Sequence, residues 1–142
     1  MKRIALLGMP NTGKSTFFNR VTGASARVGN WPGITVDLMR AKILLGGHIV
    51  ELIDLPGIYD LHGFSDDEQV VRHFLTAAKV DLMMIVANSS QIDRQLSLAL
   101  QLKSLGIPAM LLLNMSDEAK RAGTRINTKK MTEKLGVPVM QI

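Results

Sequence analysis

Short runs of apolar residues alternate with longer segments of mixed polarity along the chain. Runs such as Ile4–Leu7 and Ala109–Leu113 are typical of strands that are buried on both faces of a sheet. Most segments between them are predicted to be helical, apart from a glycine- and proline-rich loop at 24–34. We predict strands at 3–8, 36–45, 48–54, 81–87, 109–113 and 137–142, and helices at 14–23, 66–78, 91–105 and 128–135.

This alternation predicts an α/β domain of three layers, in which helices cover both faces of a mostly parallel, six-stranded sheet. One connection differs, because Gly46-Gly47 is predicted to form a tight hairpin turn between two strands. The strand at 36–45 is therefore expected to be antiparallel and to lie at one edge of the sheet.

The composition is that of one ordinary globular domain. The chain has 142 residues, 46% of them hydrophobic, and it contains no cysteine, which excludes disulfides and thiolate metal sites. No apolar run approaches the roughly 18 residues of a membrane-spanning helix, and no signal peptide is evident. The net charge is +5. Its basic residues near 120–130 lack interleaved aromatic residues, so we favour a solvated surface over nucleic-acid binding and expect a soluble cytoplasmic domain.

The segment Gly8–Ser15 fits the phosphate-binding P-loop pattern of glycine, four residues, then Gly-Lys-Ser/Thr. It lies between a predicted strand and a predicted helix, which is the context that this motif requires. The glycines allow backbone N–H groups to converge on phosphate oxygens at a helix N-terminus. Lys14 is then expected to reach the β- and γ-phosphates, and the Ser15 hydroxyl to bind Mg²⁺.

A second motif indicates guanine. Asn114-Met115-Ser116-Asp117 follows the apolar run 109–113, at the carboxyl end of a predicted parallel strand. The Asp117 carboxylate can accept hydrogen bonds from N1–H and the 2-amino group of guanine, a pair that adenine lacks. The Asn114 amide can contact the base and brace the P-loop. An Asx turn that caps a helix is the structural alternative.

Two further groups complete a magnesium site. Asp54, at the end of the predicted strand 48–54, is expected to hold Mg²⁺ through water, and the Gly57 N–H to meet the γ-phosphate. Thr35 can place a hydroxyl on Mg²⁺ when a γ-phosphate is present. The order and spacing of the four motifs match a P-loop NTPase domain of the small-GTPase type.

Several longer segments resemble FeoB, the bacterial ferrous-iron transporter family with an N-terminal GTPase domain. The resemblance covers nearly the whole chain and is carried by Arg27–Val36 with its Trp-Pro-Gly, Asp54–Tyr59, Ser65–Glu68, Gln91–Leu98 and Asn114–Asp117. The family usually has Asn where this chain has Met9, and Asp where it has Asn88. Neither departure removes a side chain that the phosphates require.

The resemblance implies a GTPase domain spanning 1–142 of a longer protein, expected to lack its guanine-packing loop, last helix, helical domain and membrane region. The partners implied are GTP or GDP and the helical and transmembrane regions of the same protein, at the cytoplasmic face of the bacterial inner membrane. It also implies activation by K⁺, with Asn11 as a ligand, and leaves nucleotide-dependent self-association open.

The site assignments follow from these motifs, except for the K⁺ role of Asn11, which the resemblance implies. Lys14, Thr35 and Asn11 are expected to act in catalysis, with Ser15, Thr35 and Asp54 as Mg²⁺ ligands and Asn11 as the K⁺ ligand. The residues assigned to GTP binding are Gly8, Met9, Pro10, Asn11, Thr12, Gly13, Lys14, Ser15, Thr16, Gly33, Ile34, Thr35, Val36, Asp37, Asp54, Leu55, Pro56, Gly57, Asn114, Met115, Ser116 and Asp117.

Hydrolysis is the least determined step. Ile58 stands where a Ras-like enzyme has the glutamine that orients water, so slow turnover or another catalytic element is expected. Two alternatives therefore stay open, namely a GTPase of the ribosome-assembly or tRNA-modification type, and a guanine-nucleotide sensor without hydrolysis. Arg27 and Arg40 are candidates for an internal arginine finger. Trp31 is expected to be exposed, over the nucleotide or against a neighbouring domain.

Three histidines and one acidic run have ordinary structural interpretations. His48, His62 and His73 lack metal-ligand spacing and are interpreted as surface or packing residues. Ser65–Glu68 is predicted to be a capping box at a helix N-terminus.

Overall fold

The computed structural model describes residues 1–115, 120–121, 123 and 126–142. The strands are β1 (Lys2–Gly8), β2 (Arg27–Gly29), β3 (Leu38–Leu45), β4 (His48–Asp54), β5 (Leu82–Asn88), β6 (Ala109–Asn114) and β7 (Val139–Gln141). The helices are α1 (Lys14–Thr22), α2 (Asp66–Ala77), α3 (Ile92–Lys103) and α4 (Thr128–Leu135), with short 3₁₀ turns at Gly23–Ser25 and Ser89–Gln91. Within the described ranges, no helix is both long and apolar enough to cross a membrane.

The sheet has the strand order β2-β3-β4-β1-β5-β6-β7. The five strands from β4 to β7 run parallel, whereas β3 is antiparallel to β4 and β2 is antiparallel to β3. The predicted α/β architecture, with its mostly parallel sheet and antiparallel edge, is confirmed.

The prediction of six strands is wrong by one, because β2 adds a seventh. This strand lies inside the predicted loop 24–34, and it displaces β3 from the edge of the sheet. Arg27 pairs with Arg40, and Gly29 with Leu38. A three-residue strand that includes a glycine has no periodic signal of its own, so only its pairing with β3 reveals it.

The central strand separates two apolar layers. Ala5 and Leu7 point into the layer that contains Phe74 of α2, and Ile4 and Leu6 point into the layer that contains Phe18 of α1. Burial on both faces explains why β1 is a continuous apolar run rather than an alternating pattern. The helices are thereby held against both faces of the sheet.

The parallel strands bring the first residues of three of the four predicted motifs, namely Gly8, Asp54 and Asn114, to one edge of the sheet. Leu6 pairs with Asp54, so the P-loop begins beside the end of β4. Gly8 pairs with Val86 of β5, and the end of β5 pairs with Asn114 at the end of β6. Ligands in open α/β sheets bind at this edge.

The second helix begins with the predicted capping box. The Ser65 hydroxyl accepts a hydrogen bond from the Glu68 N–H at 3.3 Å, and the Glu68 carboxylate accepts one from the Ser65 N–H at 3.2 Å. This reciprocal pair satisfies two N–H groups that the helix itself leaves without partners. It fixes where α2 begins, close to the P-loop.

Candidate nucleotide-binding site

The P-loop connects β1 to α1 through two residues with left-handed backbone. Asn11 has φ 64° and Gly13 has φ 81°, and Gly13 precedes the first turn of α1. A Cβ on Gly13 would lie 2.2 Å from Nδ2 of Asn114, and one on Gly8 would lie 2.5 Å from the Val86 carbonyl oxygen. Both glycines are therefore required by close packing, and Gly13 also by its backbone conformation.

The Asn114 side chain braces this loop. Its Nδ2 donates a hydrogen bond to the Thr12 carbonyl oxygen at 2.9 Å, across 102 residues of sequence. This is the bracing contact that the sequence predicted, and it explains why no side chain fits at Gly13. Met115, the next residue, has φ 59°. Ser116, which is predicted to bind GTP, and Asp117, which is predicted to recognise guanine, lie outside the described residues.

Lys14 is buried at the bottom of the site, with 7% of its surface exposed. Its ammonium group donates hydrogen bonds to the Asp54 carboxylate and, at 2.6 Å, to the Leu55 carbonyl oxygen. The predicted phosphate ligand and the predicted magnesium ligand therefore neutralise each other in this structure. Because an unpaired buried charge is costly, this ion pair holds both side chains in place at the bottom of the site.

Backbone hydrogen bonds join the segment after Asp54 to β1 and the P-loop. The Leu55 N–H donates to the Leu6 carbonyl oxygen at 3.1 Å, and the Ile58 N–H donates to that of Gly8 at 3.0 Å. A Cβ on Gly57 would lie 3.0 Å from the Pro10 nitrogen. Gly57 is thus held directly against the loop that is predicted to bind phosphate.

The side chain of Ile58 points into the hydrophobic core and is 1% exposed. It therefore lies away from the cleft, in addition to lacking the chemistry to orient water. Phe74 belongs to the same apolar cluster. This arrangement agrees with the expectation that hydrolysis uses no residue at this position.

Two side chains that no sequence motif marks, Gln101 and Arg72, hold the loop that follows Ile58. Gln101 of α3 accepts a hydrogen bond from the Leu61 N–H at 2.8 Å and donates one to Asp60 at 2.9 Å. Arg72 of α2 donates to the Leu61 carbonyl oxygen at 2.7 Å. The His62 N–H and the Gln101 amide also hold the pKa of Asp60 below its ordinary value. No local motif marks these residues, because their partners are 11 and 40 positions away.

A cleft of about 390 Å³ lies over the P-loop. It is lined by Met9, Pro10, Asn11, Gly13, Lys14, Ser15, Thr16, Gly57 and Asp67. The sequence predicts only a capping-box position for Asp67, yet α2 places it at the cleft wall. A second groove, of about 290 Å³, shares Gly13 and Asn114 with this region and is lined on its other side by Phe17 and Arg20 of α1.

The loop 30–37 does not contribute to the phosphate cleft in this structure. Thr35, Val36 and Asp37 are exposed, so the predicted magnesium ligand Thr35 is not brought together with Ser15 and Asp54. Trp31 is half-buried, contrary to the expectation that it would be exposed, and its ring packs against Phe74 with centroids 4.9 Å apart. Tertiary packing of this loop on α2 is the physical reason for the difference.

The arginine and histidine candidates have other roles here. Arg40 donates a hydrogen bond to Glu51 at 2.5 Å, and Arg27 lies exposed on the edge strand; neither lines the cleft over the P-loop. His48, His62 and His73 are exposed, as expected. In the part of the chain that the structure describes, no group of three or more His, Cys, Asp or Glu residues could hold a metal ion.

Comparison with known proteins gives one consistent family. The family model described as ferrous iron transport protein B matches residues 2–142. The Fe(2+) transporter FeoB of Synechocystis is 57% identical over 141 residues, which cover 99% of this chain but 23% of that protein. The chain thus spans about a quarter of the length of this curated relative.

The solved structures that this chain resembles belong to the same family. An S. thermophilus NFeoB mutant bound to GDP superposes with a TM-score of 0.91 at 39% identity, covering 100% of this chain and 56% of that one. The cytosolic domain of the T. maritima FeoB iron transporter in its GMPPNP form gives 0.91 at 37% identity, covering 99% of this chain and 56% of that one.

Proposed function

Because this chain belongs to the ferrous iron transport protein B (FeoB) family, we propose that it is the domain that binds and hydrolyses GTP for a ferrous-iron transporter. The observation that carries this proposal is the arrangement of Lys14, Asp54 and Asn114 around one P-loop. The GDP and GMPPNP in the two solved relatives support the same ligand class.

The side chains at the cleft fit a magnesium–nucleotide complex. Mg²⁺ prefers oxygen ligands and usually takes only one or two of them from the protein, with the rest from phosphates and water. Ser15 offers a hydroxyl at the cleft and Asp54 a carboxylate beside it. Lys14 would leave Asp54 for the β- and γ-phosphates, while Thr35 would join only when a γ-phosphate is present.

Guanine would lie on the Asn114 side of the P-loop, next to the groove that borders Phe17. We expect Asp117→Asn to weaken GDP binding about 10- to 100-fold and to gain xanthosine diphosphate, because the amide presents a donor where the carboxylate accepted. Calorimetric titration with GDP, XDP and ADP measures the change. Diphosphates keep hydrolysis out of the comparison.

Asp93→Asn is the matched control for the Asp117 substitution, because it removes one carboxylate from an exposed position in the first turn of α3. It should leave all three affinities unchanged. An Asp117→Asn protein with normal GDP affinity would show that guanine is recognised elsewhere.

We further propose that hydrolysis is slow and stimulated by K⁺. A bound K⁺ supplies positive charge against the negative charge that grows on the bridging oxygen. Asn11 offers an amide oxygen at the cleft, and Ile58 offers nothing there because it is buried. We expect the rate of hydrolysis in KCl to exceed that in NaCl by about 10²–10³-fold. Removal of a single group that stabilises transition-state charge lowers kcat by about this factor in other enzymes.

The test is single-turnover hydrolysis at saturating GTP in equal concentrations of the two salts. Asn11→Gly is a sharper variant than Asn11→Ala, because glycine accepts the φ of 64° at this position without strain. It should lose the preference for KCl and keep GDP binding. Equal rates in both salts would reject K⁺ stimulation, and no hydrolysis in either would favour a nucleotide sensor instead.

The family membership favours a transporter domain over a GTPase of the ribosome-assembly or tRNA-modification type. We propose that the domain works at the cytoplasmic face of the membrane, with the helical and transmembrane regions of a longer protein as partners. Nucleotide-dependent self-association belongs to the same proposal. Uptake of Fe²⁺ by cells that express the full-length protein tests the transporter role. The molecular mass of the domain in solution with GDP and with GMPPNP tests self-association.

A further inference from the structure

Trp31 occupies a site built from charged and aromatic side chains. Its ring lies 4.7 Å from the guanidinium carbon of Arg3 and 5.3 Å from that of Arg40. On the α2 side it packs against Phe74, with centroids 4.9 Å apart and planes tilted by 58°. We call the set Arg3, Arg40, Glu51 and Phe74 the Trp31 seat.

The two arginines of the seat are held by one carboxylate. Glu51 is 5% exposed, and it accepts hydrogen bonds from Arg3 Nε at 3.0 Å and Arg40 Nη2 at 2.5 Å. Burial raises the pKa of Glu51, but the hydrogen bonds from the two guanidinium groups outweigh it and hold the pKa below its ordinary value. Arg3 also donates to the Lys79 carbonyl oxygen at 2.9 Å. The guanidinium groups are thus positioned by the sheet, and little side-chain entropy is lost when the ring packs on them.

A second contact holds the same loop against α2. Gly33 has φ 77°, and a Cβ there would lie 2.5 Å from Nε2 of His73, the neighbour of Phe74. Between the two contacts the Ile34 N–H donates to the Trp31 carbonyl oxygen at 3.1 Å, which closes a tight turn. The loop is therefore docked on α2 at both Trp31 and Gly33.

The docked loop leaves Thr35 exposed, and none of residues 30–37 lines the phosphate cleft. Because Thr35 does not line the cleft, the loop must rearrange before that hydroxyl could reach a metal held by Ser15 and Asp54. Trp31 is only four positions away, so we expect it to move with Thr35. A ligand shifts such an equilibrium only through contacts that differ between the two states. The seat favours the docked loop, whereas a γ-phosphate with its Mg²⁺ would favour the rearranged one.

We propose that the Trp31 seat is a latch that must be vacated when the loop closes on a nucleoside triphosphate, and that it thereby sets the preference between GTP and GDP. This inference rests on the proposed function, because it requires binding of both nucleotides. The latch lowers affinity for the triphosphate, since leaving the seat costs the cation–π and aromatic contacts.

Trp31 is the only tryptophan of the chain, so its emission reports the seat directly. We expect GDP with Mg²⁺ to leave the emission unchanged. GMPPNP with Mg²⁺ should shift it to longer wavelength and increase its quenching by acrylamide, because the ring enters solvent. Binding itself is followed independently by calorimetry.

Removing the ring should weaken the latch. In Trp31→Ala we expect the ratio of GMPPNP to GDP affinity to rise by about fivefold or more, within the range of ordinary allosteric coupling. Trp31→Phe should give a smaller rise, because it keeps a ring. Phe64→Ala is the matched control, since it truncates an aromatic side chain that is 90% exposed and outside the seat, and it should not change the ratio.

The outcomes separate the latch from the proposed function. Failure to bind either nucleotide would overturn both. Binding of GMPPNP with unchanged Trp31 emission would overturn the latch alone, and so would a lower GMPPNP-to-GDP ratio in Trp31→Ala, because the ring would then stabilise the closed loop. The emission measurement uses the unaltered chain, so it stands even where a substitution impairs folding.

Discussion

Lys14→Ala is expected to weaken GTP and GDP binding by about 10- to 150-fold while leaving guanosine binding nearly unchanged. A hydrogen bond to a charged group contributes about 1.5–3 kcal/mol, and in the proposed site Lys14 would donate to phosphate oxygens that guanosine lacks. The Lys14 ammonium group already donates a hydrogen bond to the Leu55 carbonyl oxygen at 2.6 Å, which holds it at the bottom of the P-loop. Calorimetric titration of the variant with all three ligands measures the difference.

The same substitution has a second effect in the absence of nucleotide. It removes the cation that is paired with the Asp54 carboxylate, a side chain that is only 14% exposed. An ionised group left without its partner at such a position costs about 1–3 kcal/mol of the free energy of unfolding. Thermal unfolding should therefore occur at a lower temperature in Lys14→Ala.

The controls for Lys14→Ala are Asp54→Asn and the double variant that combines the two substitutions. In the double variant no charge is left unpaired, so part of the lost stability should return, and the double-mutant cycle gives the coupling. Nucleotide binding should stay weak in the double variant, since the phosphates have still lost their lysine. If GTP and guanosine weakened equally in Lys14→Ala, the role of Lys14 would be structural only.

Gly13→Ala is expected to abolish nucleotide binding and to destabilise the fold. An alanine at φ 81° suffers a backbone cost of about 1–2 kcal/mol. Its Cβ would also lie 2.2 Å from Asn114 Nδ2, so the hydrogen bond that braces the P-loop through Thr12 must break. Nucleotide titration and thermal unfolding together measure the two losses.

Gly47→Ala is a matched control for Gly13, because it separates the two causes. Gly47 has the same φ of 81°, but no atom lies within 4 Å of the position that a Cβ would take. It lies in the hairpin turn between β3 and β4, so its substitution should carry the backbone cost and leave nucleotide binding intact. Equal loss of binding in both variants would show that contact with Asn114 is unimportant.

The departure at Asn88 illustrates how a family pattern can be kept with a different residue. The Asn88 Oδ1 accepts hydrogen bonds from the Ser90 N–H at 2.9 Å and from its hydroxyl at 2.7 Å. Only the oxygen is used in these contacts, and an aspartate offers the same acceptor. An aspartate at this position could therefore accept the same two hydrogen bonds from Ser90.

The sequence by itself determined the features that are encoded by neighbouring residues. Local backbone preferences and local polarity encode the P-loop, the capping box at Ser65 and the hairpin turn at Gly46-Gly47, so these features could be predicted. The same holds for the order of the longer strands and helices, which leaves out β2. The parallel sheet followed from their alternation, since parallel strands require helical crossovers. These rules also placed the ends of β1, β4 and β6 at one edge.

Tertiary structure alone decided the features that join distant segments. The pairing of β2 with β3, the Lys14–Asp54 pair, the anchoring of the Asp60 loop by Gln101 and the burial of Trp31 are examples. Each depends on strand register and on which helix face meets the sheet, and a one-residue shift in register would turn Glu51 to the opposite face. Side chains such as Trp31 have no local preference for one partner, so packing alone selected the seat between Arg3, Arg40 and Phe74.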